Sequence, residues 1–143
     1  MDRPLPQNLE AEKCVLGAIL LAPSTFDSVA DVLGVGDFMD NRHRKVFACM
    51  QWVRASEKPI DFITLQSALE WMEWLEVVGV GYLVGLVDGV PRSVHAEHYA
   101  RIVKEKATLR NLIRSAEAIV AKAYADDASS SCGDACAGES HDA

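Results

Sequence analysis

Residues able to do chemistry gather at four places in this chain. Gly79 to Pro91 reads GVGYLVGLVDGVP, holds four of the nine glycines and opens as G-x-G-x-x-x-G. Such a loop can cradle a phosphate, but a dinucleotide fingerprint needs a strand before the glycines, a helix after them and an acid about 20 residues on. The preceding LEWMEWLEVV reads as a helix end and turn, and no βαβ unit comes after it. The glycines therefore read as punctuation between helices. No glycine in the chain is followed by lysine, so G-x-x-x-x-G-K-[ST] is absent and with it the phosphate clamp of the usual ATPases. The chain by itself is expected to be non-catalytic.

The second place is His95 and His98 flanking Glu97, and the third is Cys132-x-x-x-Cys136 with His141 beyond. Zinc asks for four well-spaced ligands, which neither group supplies, so no metal is expected. The fourth is the basic run Arg42-His43-Arg44-Lys45. It opens a helix, where the dipole disfavours cations, so Arg42, Arg44 and Lys45 are candidates for contacting phosphate. An exposed charged face is the simpler account of the same run.

The elements that would position these groups are helical throughout. Asn8 can cap a helix from Leu9, with Glu10 and Glu12 in its first turn and Val15, Leu16, Ile19 and Leu20 on one face before Pro23. A second pattern runs through Phe26, Val29, Ala30 and Leu33 to Gly34. Asp40 or Asn41 starts a third, with Val46, Phe47, Met50 and Val53 buried, and Asp61 or Thr64 a fourth, through Leu65, Ala68, Leu69 and Met72. Tyr82, Leu83, Leu86 and Val87 make a short amphipathic helix, and Ser93 can cap a long one over Val94 to Ala125. Trp52, Trp71 and Trp74 read as core, with an interface anchor as the alternative for one of them.

In the long helix Ile102, Leu109, Leu112, Ala116, Ile119 and Ala123 recur at steps of three and four, widened by Ile113 and Val120. Such a seam calls for a partner helix. The C-terminal stretch ADDASSSCGDACAGESHDA is too poor in apolar residues to be one, and reads as a disordered tail over 126–143. That tail also explains the charge. It carries five acids and no Lys or Arg, leaving 14 basic and 16 acidic residues in the rest of a chain whose formal net charge is −7. Arg101 to Lys122 is locally basic, with six cations against Glu105 and Glu117. No apolar run is long enough to span a bilayer and the N-terminus lacks the layout of a secretory signal, so a cytoplasmic protein is expected.

The body, residues 4–125, resembles a known family. P-x-N-L-E-A-E-x-x-V-L-G-A-I-L-L (Pro6 to Leu21), G-D-F (Gly36 to Phe38), H-R-K-V-F (His43 to Phe47), P-I-D-x-I-T-L (Pro59 to Leu65), G-Y-L (Gly81 to Leu83), V-P (Val90, Pro91) and Y-A-R-I-V-x-E-K-A-x-L-R-x-L-I (Tyr99 to Ile113) come in the same order as in the N-terminal domain of the bacterial replicative DNA helicase of the DnaB type. The resemblance implies an all-α fold: a compact helical bundle followed by a long helix that is the first arm of a helical hairpin. It implies a non-catalytic oligomerisation and primase-docking collar on a hexameric motor, as a homodimer or within the hexamer, meeting DNA only through the full helicase.

Carried onto matching positions, Tyr82, Ile113 and Ile119 face primase or the hairpin contact, and Ile102, Leu109, Leu112, Ala116, Val120 and Ala123 form the oligomer seam. ATP and Mg2+ belong to the motor domain, so this chain is expected to hold no cofactor. Two departures stand out. Glu73 occupies a turn where the family usually has glycine, so that turn is expected to be altered. The acidic tail stands where the second hairpin helix begins, which leaves open a truncation, a frameshifted end and a short protein in its own right. It also leaves open two other roles, a free-standing helicase-binding decoy or loader and a fragment of an ATP-dependent helicase.

Overall fold

A computed structural model describes residues 3–90 and 95–141, with side chains described through residue 129. Among these residues there are seven α-helices and no strand: α1 (Leu9–Leu21), α2 (Phe26–Val32), α3 (Asn41–Ala55), α4 (Phe62–Trp71), α5 (Leu75–Val78), α6 (Val80–Asp88) and α7 (Ala96–His141). The chain divides into two units, Met1–Thr108 and Leu109–Ala143.

The first unit is a helical bundle whose starts are set by side-chain caps. The Asn8 Oδ1 accepts from the Ala11 N–H at 3.0 Å, and Asp40 accepts from the Arg42 N–H at 2.8 Å. Asp61 and Thr64 cap α4 reciprocally, each side chain accepting from the other's N–H at 2.8 and 3.0 Å. Inside, Val15, Leu16 and Ile19 of α1 meet Phe47 and Met50 of α3, Leu65 and Leu69 of α4 and Leu83 of α6, all fully buried. Phe47 packs its ring 5.0 Å from that of Phe38 and 5.6 Å from that of Phe26.

Gly17 sets the closest crossing. A Cβ there would overlap the Leu86 carbonyl oxygen and the Val90 side chain, so only glycine lets α6 lie against α1 at this separation. Gly79, at φ 84°, turns the chain between α5 and α6.

The ends of α3 and α4 are Schellman motifs. At α4 the Glu73 N–H donates to the Glu70 carbonyl at 3.0 Å and the Trp74 N–H to that of Leu69 at 2.8 Å; at α3 Glu57 and Lys58 donate to Arg54 and Val53 at 3.1 and 3.2 Å. The left-handed residue is Glu73 in one (φ 60°) and Glu57 in the other (φ 59°). The turn expected to be altered at Glu73 thus keeps a left-handed form that glycine adopts more easily, because two closing hydrogen bonds outweigh the strain on Glu73.

Sequence and structure differ over α7. Its packed stripe is Ala96, Ala100, Val103 and Ala107, where small side chains allow close approach. Ile102, expected to open the oligomer seam, is half-buried against the core of the first unit. The helix also runs without a break past Ala125 to His141, with no proline to stop it. The Ser93 cap falls on residues 91–94, outside the described residues, as do the side chains of Cys132, Cys136 and His141.

Candidate interaction surfaces

Glu12 lies in the first turn of α1, where a carboxylate suits the helix dipole, yet it is only 1% exposed. Its oxygens accept from the Met39 N–H at 2.9 Å, the Asp40 N–H at 3.3 Å and His43 Nδ1 at 2.8 Å. It therefore ties the start of α3 to the first turn of α1. His43, expected in an exposed basic run, is instead fully buried: position 43 shares its helix face with Val46, Phe47 and Met50. Glu12 and Asp40 together place two anions at the N-terminus of α3, offsetting the cations in its first turn.

Nδ1–H donates to the carboxylate, and in that tautomer Nε2 accepts a hydrogen bond from the Tyr82 hydroxyl. Glu12, His43 and Tyr82 thus form a relay joining α1, α3 and α6, and it leaves no buried side-chain N or O unpaired among the described residues. Tyr82 is half-buried. Burial pushes its phenol up from the ordinary value while Arg42 pulls against it. The Arg42 guanidinium lies 3.8 Å from the ring centroid, and the Lys13 ammonium 5.8 Å from it. Arg42 is itself held by Asp40, Nη2 donating to Oδ2 at 3.0 Å. Burial pushes the Asp40 carboxyl up, but the hydrogen bonds from Arg42 prevail and hold it below its usual value.

Arg44, two positions on, points away from Arg42, while Lys45, three positions on, lies beside it on the helix surface. Arg44 is exposed, and Lys45 lies 4.6 Å from the Trp74 ring centroid. His95 and His98 are both exposed, His98 edge-on to the Tyr99 ring at 5.4 Å. Of the three tryptophans, Trp74 is packed against the core, whereas Trp71, expected there, is 77% exposed.

The second unit is a single helix with an exposed apolar stripe. Leu112 and Ile119 are 66% and 69% exposed, Leu109, Val120 and Tyr124 are exposed beside them, and Ala116 and Ala123 lie in the same row. Ile113 is half-buried. Tyr124 continues the period from Val120 and extends the stripe beyond the residues that the sequence singled out, although its i+4 spacing marks it. No single described helix is long and apolar enough to cross a membrane.

Residues 4–105 match the family model of the DnaB-like helicase N terminal domain. The chain is 41% identical over 124 residues to the replicative DNA helicase DnaB of Geobacillus stearothermophilus, covering 86% of this chain and 27% of that protein. It is 38% identical over 120 residues to DnaB of Haemophilus influenzae, covering 83% and 26%. The chain thus spans about a quarter of the length of these curated relatives. The crystal structure of the N-terminal domain of DnaB helicase from Mycobacterium tuberculosis superposes with a TM-score of 0.83 at 34% identity, over 87% of this chain and 89% of that one. The N-terminal domain of the Helicobacter pylori DnaB helicase, described with its interactions with primase, shares the fold at a TM-score of 0.71 and 23% identity, over 80% and 90%. The family match covers most of the bundle and the start of α7, and the fold agrees with it: this chain belongs to the DnaB-like helicase N-terminal domain family.

Proposed function

We propose that this chain is a non-catalytic oligomerisation and primase-docking domain that acts in the cytoplasm in primosome assembly, reaching DNA only through a full helicase. The observation that carries this reading is the stripe from Leu109 to Tyr124, large apolar side chains in helical register and open to solvent. A patch of that kind on one helix face supports a partner helix. Each Leu or Ile buried there contributes about 1.5 to 3 kcal/mol, and in a two-fold pairing each position counts twice. The Helicobacter pylori relative's interactions with primase support the same assignment of partner here.

Sedimentation across a concentration series tests the pairing. A dimer that forms with rising concentration and is lost on Leu112→Asp is expected; a chain that stays monomeric throughout would overturn it. Primase binding is tested with Ile119→Asp, which is expected to weaken it without lowering the melting temperature of the bundle. Tyr82 calls for Tyr82→Phe, since this keeps the ring beneath Arg42 and loses only the hydroxyl held by His43.

A further inference from the structure

On the first unit, α3 and α4 leave an apolar depression that neither the Tyr82 network nor the α7 stripe uses. Trp52 and Val53 of α3, Lys58 after it, and Ile63, Thr64, Ser67 and Trp71 of α4 line it. Ile63, Ser67 and Trp71 come at intervals of four, so they stand in one row along α4. Ile63 is 74% exposed and Trp71 77%, with Trp52 beside them at 39%. One exposed apolar residue is ordinary on a protein surface; two tryptophans and an isoleucine on one depression are not, and Trp is the residue type most enriched at binding hot spots.

Charge at the two ends of the row is unequal. At the Trp71 end, Glu70, Glu73 and Glu76 surround a neighbouring depression floored by Leu75. All three are exposed, and none forms an ion pair among the described residues. Glu73 is held by the Schellman turn, so this charge sits on fixed backbone. At the other end the Lys58 ammonium lies 5.8 Å from the Trp52 ring centroid and Arg54 is taken up by Asp27, Nη2 to Oδ2 at 3.0 Å. Three carboxylates therefore border the Trp71 end of the row with no ion-pair partner among the described residues, while Lys58 lines the Trp52 end.

We propose that this face docks a basic amphipathic peptide segment, apolar side chains entering between Trp52, Ile63 and Trp71 and a Lys or Arg meeting Glu70, Glu73 and Glu76. Charge selects the occupant. An acidic segment would be repelled by the three carboxylates. The proposal does not depend on the collar reading, since it uses no residue of the α7 stripe.

The test uses the full chain and two synthetic peptides with leucines in one helical stripe, one with lysines on the polar face and one with glutamates. Binding is read by tryptophan fluorescence and calorimetry. The Leu/Lys peptide is expected to bind and the Leu/Glu peptide to fail. Trp71→Ser is expected to weaken the Leu/Lys peptide by about thirtyfold and Ile63→Ser by about tenfold. Joint replacement of Glu70, Glu73 and Glu76 by Gln is expected to weaken it by about tenfold, while Asp126→Asn with Asp127→Asn leaves it unchanged. Equal binding of the two peptides, insensitivity to both Trp71→Ser and Ile63→Ser, or an equal loss on neutralising Asp126 and Asp127 would overturn the proposal. So would loss of self-association in Trp71→Ser, which would give the face to a second copy.

Discussion

Replacing Glu12 by glutamine changes one oxygen into an amide group and almost nothing in volume, so its effect isolates the hydrogen bonding at the centre of the bundle. The carboxylate accepts from three donors, and its Oε1 serves both His43 and Asp40 while Oε2 serves Met39. The amide oxygen keeps more partners in the Oε1 position. Its NH2 group then faces the Met39 N–H, donor against donor. One hydrogen bond to a charged acceptor is lost, about 1.5 to 3 kcal/mol, and a partly buried N–H is left without an acceptor, about 1 kcal/mol more. The net expectation is a loss of about 2 to 4 kcal/mol. Against a total stability of about 5 to 15 kcal/mol this is a large share. Urea unfolding monitored by circular dichroism at neutral pH measures it directly. A change below about 0.5 kcal/mol, the range of ordinary surface substitutions, would refute the account of Glu12 as the anchor of α3.

The same experiment extends to the relay. Glu12 fixes the proton on His43 Nδ1, which makes Nε2 an acceptor for Tyr82. The glutamine amide oxygen still accepts from Nδ1–H but carries no full charge, so it polarises the ring less and Nε2 accepts more weakly from Tyr82. Tyr82→Phe should therefore cost less in the Glu12→Gln background than in the parent, with a coupling of at least about 0.5 kcal/mol in a double-mutant cycle. Additive losses would show that the two ends of the relay do not sense each other through His43.

The same geometry sets three further outcomes. Gly17→Ala should destabilise the bundle by about 1 to 3 kcal/mol although alanine favours helix, because the new methyl meets the Leu86 carbonyl on fixed backbone; a thermal melt showing a gain would contradict the close crossing. Glu73→Gly and Glu57→Gly should each raise stability by about 0.5 to 1 kcal/mol, since left-handed backbone costs a non-glycine residue about 1 to 2 kcal/mol and glycine returns part of that as unfolded-state entropy; unchanged or lower melting temperatures would count against the strain. Burial pushes the Cys49 thiol up to about 11, so at pH 8 about one molecule in a thousand carries the thiolate, and alkylation mapped by mass spectrometry should spare Cys49 until the chain unfolds.

How far the sequence shows all this depends on how far apart the partners are. Asn8, Asp61 with Thr64, and the Tyr82 to Val87 helix were legible because each signal closes within a few residues. Glu12 was legible only as a first-turn acid: its other partners lie 27 to 31 residues away, and nothing local marks a glutamate as buried. Gly17 reads as an ordinary helix interior residue for the same reason, since its neighbour is Leu86. Trp71 is a different case, because period alone decides it. Leu65, Ala68 and Leu69 already fill the inner row of α4, Met72 lies exposed just beyond it, and Trp71 stands two positions, about 200°, from Leu69, in register with Ile63 and Ser67. Its apolar sequence neighbours suggested core, but its row is the outer one.

The two halves of α7 carry the last distinction. Both show apolar residues at steps of three and four, so hydrophobic period cannot say which half packs within its own chain. Side-chain size can. Ala96, Ala100, Val103 and Ala107 are small enough for a helix to lie against a finished bundle, and all are buried. The small row runs on to the buried Arg110, whereas Leu109, about 200° from Ala107, lies on another face with Leu112 and Ile119, large side chains that need deep holes between facing residues, and these stand in solvent. A stripe of small residues marks a surface already matched within the fold, and a stripe of large ones on the other face marks a surface awaiting another helix.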